Sequence, residues 1–268
     1  RCPKGWYVER RLKPESELTD KMLVGNIKHY ILEKHFLLKQ TDEEKAVSDL
    51  FDEYMDSGNF SVSKVNRILI ESQVNNIIEL YGKRLPWLQF KQELEVGLTE
   101  TIRIQDEQVK LKGKVDRIDW SDDGKNFFVI DYKSNSLPEN SLQIFLYPEM
   151  IRQKYLREGL RSAGFNNEEI RRVEEQEELL LIKEGVPRLY GAGYVSVASG
   201  EFQGYLLNDM IKESMKDLVS KEISYYSGLK EASENLLKAV EGINDPDTYM
   251  NIGESCPEWC GHHYLAKT

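Results

Sequence analysis

Residues 113–134 read Gly113-Lys114-Val115-Asp116-Arg117-Ile118-Asp119-Trp120, then Ser121-Asp122-Asp123-Gly124-Lys125-Asn126, then Phe127-Phe128-Val129-Ile130-Asp131-Tyr132-Lys133-Ser134. The middle segment is made of turn formers, with Gly124 available for a positive φ, so its flanks read as two β-strands. Strand side chains alternate between faces. Lys110, Lys112, Lys114 and Asp116 therefore share one side of the first strand, and Asp131 and Lys133 one side of the second. Phe127 to Ile130 is apolar at every position, which suits a strand in the middle of a sheet. Ending such a strand in Asp-x-Lys sets opposite charges at the edge of a core. Unpaired charge is costly there, so these groups need partners, a metal ion, or both.

The chemistry that fits is metal-assisted phosphodiester hydrolysis. Carboxylates on neighbouring strands can hold one or two Mg²⁺ through oxygen. The ion polarises a phosphate and activates a water. A lysine beside a carboxylate can orient that water or offset charge developing on the phosphate. A solvated hairpin with a surface ion pair is the plainer alternative, and the unbroken apolar run before Asp131 speaks against it.

The ordered set Gly113-x-x-Asp116-Arg117-Ile118-Asp119, Ile130-Asp131-Tyr132-Lys133 and Gln143-x-x-x-Tyr147 resembles the RecB-like nucleases of the PD-(D/E)XK superfamily. AddB-type nuclease domains and CRISPR-associated RecB-like exonucleases belong there. The resemblance runs from Cys2 to Cys260 but is dense in motif residues only from Gly113 to Tyr147. It implies an α/β, restriction-endonuclease-like core, with a mixed sheet of about four or five strands flanked by helices. It also implies a Mg²⁺- or Mn²⁺-dependent DNA exonuclease with Asp116, Asp131 and Lys133 catalytic. His29, Asp116, Asp131 and the backbone carbonyl of Tyr132 would hold the metal, and Gln143 and Tyr147 would contact DNA.

His29 enters through Gly25-Asn26-Ile27-Lys28-His29, which is similar to a Gly-x-x-x-His that the family carries on an early helix. Without the downstream motif it would read as a histidine on a half-exposed helix face. Two other functional readings stand beside the exonuclease. One is a non-cutting DNA-binding module of a larger helicase or CRISPR-adaptation assembly. The other is a site-specific endonuclease on the same core. The intact Asp116, Asp131 and Lys133 argue against the first. The resemblance suggests recombination and repair, CRISPR adaptation or a phage or mobile element as the setting, with DNA and a helicase or adaptation protein as partners.

At 268 residues, 40% hydrophobic and 31% charged, the chain has the composition of a soluble globular protein. No apolar run approaches the ~20 residues that span a bilayer, and Arg1-Cys2-Pro3-Lys4 does not read as a signal peptide. Three cysteines make no disulfide framework, which points to a reducing, cytoplasmic setting. A net charge of −10 is awkward for a protein that binds phosphates. Positive charge is instead local, at Arg1 to Lys13 and Arg152 to Arg161, while acid gathers at Asp42 to Asp56 and Glu168 to Glu184.

The chain reads as one domain with three parts: a helical lobe over 1–85, a sheet and catalytic core over 86–206, and a helix and tail over 207–268. Helices are expected at Pro3 to Lys13, Asp20 to Lys39, Thr41 to Ser57 and Ser61 to Tyr81, with His35 on the surface. Strands are expected at Leu88 to Ile104, Gln108 to Trp120 and Asn126 to Lys133. Glu93 and Glu95 share a face of the first, and either could match an acidic residue of the family. A helix from about Ser141 carries Gln143 and Tyr147, with a bend expected near Pro148. An acidic helical insertion near 166–185 precedes a hairpin of Leu189 to Val197 and Glu201 to Leu207. Asn208 to Val240 reads as one long helix, interrupted at Gly228 if anywhere. Cys2, Cys256 and Cys260 partly match a [4Fe–4S] clasp of the family, but a fourth thiolate is missing. A cluster with another fourth ligand, a Cys₃His zinc site using His262 or His263, and a metal-free packing of the thiols all remain open.

Overall fold

Asp20–Gln40 forms the first helix, α1, in a computed structural model that describes residues 20–58, 60–84, 91–104, 107–135, 137–138, 142–162, 164–168, 170 and 187–244. The expected turn at Pro3 to Lys13, most of the acidic insertion and all three cysteines lie outside those residues. Leu23, Ile27, Ile31, Leu32 and Phe36 of α1 are buried at helical spacing. Asp42 follows with φ +55°, and residues 43–46 are not helical. The second helix, α2 (Val47–Gly58), therefore starts six residues later than expected at Thr41. The third, α3 (Lys64–Arg84), begins just after Ser63, whose Oγ accepts from the Asn66 N–H at 3.2 Å.

The sheet has six strands in the order β1-β2-β3-β4-β5-β6. They are β1 (Lys91–Ile104), β2 (Glu107–Trp120), β3 (Asn126–Lys133), β4 (Arg188–Ser196), β5 (Phe202–Leu206) and β6 (Val219–Glu222). The β1–β2, β2–β3 and β4–β5 pairs are antiparallel, while β3–β4 and β5–β6 are parallel. Strand β3 lies between β2 and β4, and Phe127 to Tyr132 are all buried, as its apolar run required. Parallel neighbours need a crossover. Between β3 and β4 the chain passes through α4 (Gln143–Ser162). One core joins α1, α2 and α3 to Phe128, Ile130, Tyr132, Val195 and Phe202 of the sheet.

The count of strands exceeds expectation because Asn208 to Val240 is not one helix. A short α5 (Asp209–Met215) is capped by the Asn208 side chain, β6 adds to the sheet edge, and α6 (Tyr225–Asn244) follows. Gly228 does not break α6. It lets Phe145 approach, since a Cβ there would lie 2.1 Å from the Phe145 ring. Pro148 sits inside α4 and is buried. It has no N–H for the Ile144 carbonyl four residues back. That carbonyl instead accepts from the Tyr205 hydroxyl at 2.7 Å, so the helix runs on through the proline.

The chain divides into two compact units, Asp20–Leu229 and a second composed of Arg1–Thr19 with Lys230–Thr268. Of the second, residues 230–244 are described, as the C-terminal part of α6. Among the described residues no helix is long and apolar enough to cross a membrane.

Candidate metal centre

Asp116 of β2 is the meeting point of three elements. Its Oδ2 accepts the Tyr132 backbone N–H of β3 at 2.7 Å and lies 3.5 Å from Nδ1 of His29 on α1. The third is β1. Ligand atoms of His29, Glu95 and Asp116 all lie within 4.8 Å of one another. These three residues line a cleft of about 480 Å³, together with Gly25, Lys114 and Ser134.

Glu95 reaches the cluster through its backbone. Strict alternation would keep Glu93 and Glu95 on one face. Glu95 instead has φ +53°, unusual for a residue with a Cβ. The β1–β2 ladder pairs Leu94 with Arg117 and Val96 with Val115, leaving Glu95 and Asp116 outside it. The two glutamates part company there. Glu93 accepts from the Tyr155 hydroxyl of α4, whereas Glu95 joins the cleft and pairs with Lys114.

Beside this cluster runs a polar chain. Lys133 pairs with Asp131 and donates to Gln143 Oε1 at 3.1 Å, and Gln143 Nε2 donates to the Tyr147 hydroxyl at 3.0 Å. One helical turn separates Gln143 from Tyr147, which lets one side of α4 carry both groups. Gly113 makes room for the second. A Cβ at that position would lie 2.5 Å from the Tyr147 ring.

Behind the cleft the sheet is braced by a fully buried ion pair. Arg117 holds Asp119 through two bonds of 2.6 and 2.7 Å, donates to the Tyr132 hydroxyl at 3.1 Å, and stacks on the Phe36 ring at 4.1 Å. Tyr132 is thereby held by its side chain while its N–H points at Asp116. Helix α1 is clamped to the end of β3 as well. Buried Lys28 donates to the Ser134 carbonyl at 2.8 Å, and a Cβ on Gly25 would lie 2.9 Å from Ser134 Oγ. The glycine thus admits the chain just beyond Lys133. His35 is half-buried rather than on the surface, edge-on to Phe36.

Titration reflects the crowding. Burial and the neighbouring Asp116 charge push the Asp131 carboxyl up to about 6 from 3.8, against the pull of Lys133 and His29. Burial tends to lower His29, but the hydrogen-bonding and charge of Asp116, with Glu95 and Asp131, raise it on balance. A folded group that keeps its proton above the unfolded pKa stabilises the fold at low pH and loses that contribution as pH rises. Metal-free protein should therefore lose stability from Asp131 as pH climbs from about 4 to about 6. Thermal melts should show that slope, and Asp131→Asn should flatten it. An unchanged slope in the variant would remove Asp131 as its source.

The donor set suits a divalent cation. An imidazole and two carboxylates offer nitrogen and oxygen ligands, and the carboxylate crowding that raises Asp131 is relieved by positive charge. A family model for the PD-(D/E)XK nuclease superfamily matches residues 1–263. The chain belongs to the PD-(D/E)XK nuclease superfamily. Its members are generally nucleases that use divalent metals, and the superfamily fold is the one described above. No curated protein matches. A solved structure titled "Crystal structure of SSO0001" is 16% identical, covering 86% of this chain and 82% of that one, with a TM-score of 0.25, too low to carry an argument.

Within this PD-(D/E)XK chain the structure brings His29 and Asp116 together and sets Asp131, Lys133, Gln143 and Tyr147 in one connected row. Asp131 is engaged with Lys133 and also feels the charges of Asp116 and His29. Sequence reasoning gave no role to Lys28, Arg117 or Asp119 and did not choose between Glu93 and Glu95. A signal existed for Lys28, which falls on the stripe of α1 that continues through buried Leu32 and Phe36.

Proposed function

We propose that this chain is a metal-dependent exonuclease that hydrolyses phosphodiester bonds at DNA ends. The observation that carries this reading is the side-by-side placement of a cation-binding cluster and a held lysine, joined through β3. His29, Glu95 and Asp116 would hold a Mg²⁺ or Mn²⁺ ion. Bound there, the ion supplies Lewis acidity and a water of lowered pKa. Lys133 sits between the Asp131 carboxylate and the Gln143 amide, which fixes the direction of its ammonium group. It can then offset charge building on the scissile phosphate with little reorganisation. Gln143 and Tyr147 continue the polar row and can hold the strand. A recombination, CRISPR-adaptation or phage setting, with a helicase or adaptation partner, is the biological context we propose.

Lys133→Ala should slow cleavage by about 10²- to 10³-fold, the effect of losing one pre-placed charge donor. The variant should still fold, since the Lys133 side chain is 27% exposed, but with a lowered melting temperature, because the Asp131 carboxylate it leaves is only 4% exposed. A variant of unchanged rate would remove Lys133 from the chemistry. Linear and circular single-stranded DNA with Mn²⁺ test the exonuclease reading directly. Linear substrate should be degraded and the circle left intact. Cutting of the circle would make this an endonuclease, and inertness toward both would end the nuclease reading for this chain.

A further inference from the structure

Two basic stretches stand out in the acidic sequence. Arg1 to Lys13 lies outside the described residues. On α4, Arg157 is engaged with Glu100 at 2.6 Å and the Thr101 carbonyl at 3.0 Å, and Arg152 with Glu149 at 3.2 Å. Strand β2 offers something different. Lys110, Lys112 and Lys114 are all exposed and alternate with the less exposed Val109, Leu111, Gly113 and Val115. They therefore stand on one face, about 6.8 Å apart along the strand.

Their cross-strand partners on β1 are Thr101, Thr99 and Gly97, none of which carries charge. The nearby acid is turned elsewhere, since Glu100 faces Arg157. Among the described residues Lys110 and Lys112 have no carboxylate partner, and Lys114 pairs with Glu95. Uncharged, small neighbours leave the ammonium groups open to solvent and to a polyanion. The row also has a direction. Lys114 lines the cleft that holds His29, Glu95 and Asp116, and Asp116 is the next residue on the same face of β2.

We propose that Lys110, Lys112 and Lys114 form a phosphate track that lays an extended single strand along β2 and feeds it to the cleft. The spacing along a β-strand suits successive phosphates of an extended single strand, one per lysine. The contacts reach only the backbone, so the track reads no sequence. Its contribution is electrostatic and falls with salt. It eases the conflict between an acidic protein and an anionic substrate, because these three positive charges lead along one ribbon to the cleft. The inference rests on the nuclease reading only for what happens at the end of the track.

The test uses the double variant Lys110→Ala/Lys112→Ala, which leaves the cleft residues in place. Binding of a fluorescent oligothymidylate is followed by anisotropy in chelator, so that nothing is cut. The slope of log affinity against log salt should shrink by about 1.4, roughly 0.7 for each lysine removed from a single strand. With Mn²⁺, KM for the oligonucleotide should rise, while hydrolysis of thymidine 5′-(p-nitrophenyl phosphate), too short to reach the row, should hold its rate. An unchanged salt slope would overturn the track. So would an equal loss on both substrates, which reports damage to the cleft. A wild type that hydrolyses neither substrate refutes the nuclease reading, and the anisotropy result still decides the track.

Discussion

Asp119→Ala is expected to destabilise the fold by about 3–5 kcal/mol, the range for stranding one member of a buried ion pair. Both Asp119 and Arg117 have side chains with no solvent exposure. Removing the carboxylate takes away two short bonds and leaves a guanidinium with only the Tyr132 hydroxyl and the Phe36 ring. Water cannot reach it to compensate. Arg117→Met with Asp119→Leu should recover most of the loss, since apolar groups of similar volume replace such pairs at little cost. Urea unfolding of the three variants gives the answer. If the single variant melts like the wild type, the pair contributes nothing. If the double is no better than the single, the damage comes from packing and not from charge. The double variant also isolates function: it leaves Tyr132 without its hydroxyl partner.

Asp116→Ala should abolish Mn²⁺ binding by calorimetry and lower cleavage by about 10³-fold or more, because it removes a ligand and the charge it carries. It should not unfold the protein. Asp116 is one of the like charges that raise the Asp131 carboxyl, so its loss should move that titration down toward 3.8. Two readouts thus move independently of rate. Undiminished Mn²⁺ affinity in the variant would show that the ion is held elsewhere, and an unmoved Asp131 titration would show that the two carboxylates do not interact.

The elements that the sequence displayed clearly are those whose side-chain pattern determines their backbone. Strand β3 appears with the expected bounds because six consecutive residues are buried on both faces. Strand and helix periodicity set Asp131 beside Lys133 and Gln143 beside Tyr147, while the bond from Lys133 to Gln143 that joins the two pairs is a tertiary contact. Glu95 was ambiguous for a physical reason. Its place depends on a left-handed backbone angle, and glutamate gives no local sign of one, as glycine or asparagine would. Strand β6 was hidden because Val219-Ser220-Lys221-Glu222 is too short to show a period of two and follows a segment with a helical pattern. Its state is decided by the open edge of β5, which is a tertiary effect.

Lys28 ties the lifetime of α1 to that of the β3 end. The residue is 2% exposed, and burial lowers its pKa, so holding the Ser134 carbonyl keeps a costly charge satisfied. Opening α1 strands that carbonyl and withdraws His29 in the same event. Backbone amides of α1 and of the stretch just before Ser134 should then exchange with deuterium at a common opening free energy, as one cooperative unit. A protein caught partly folded would lack the imidazole beside Asp116, so the cation-binding cluster would be incomplete until the helical lobe had docked.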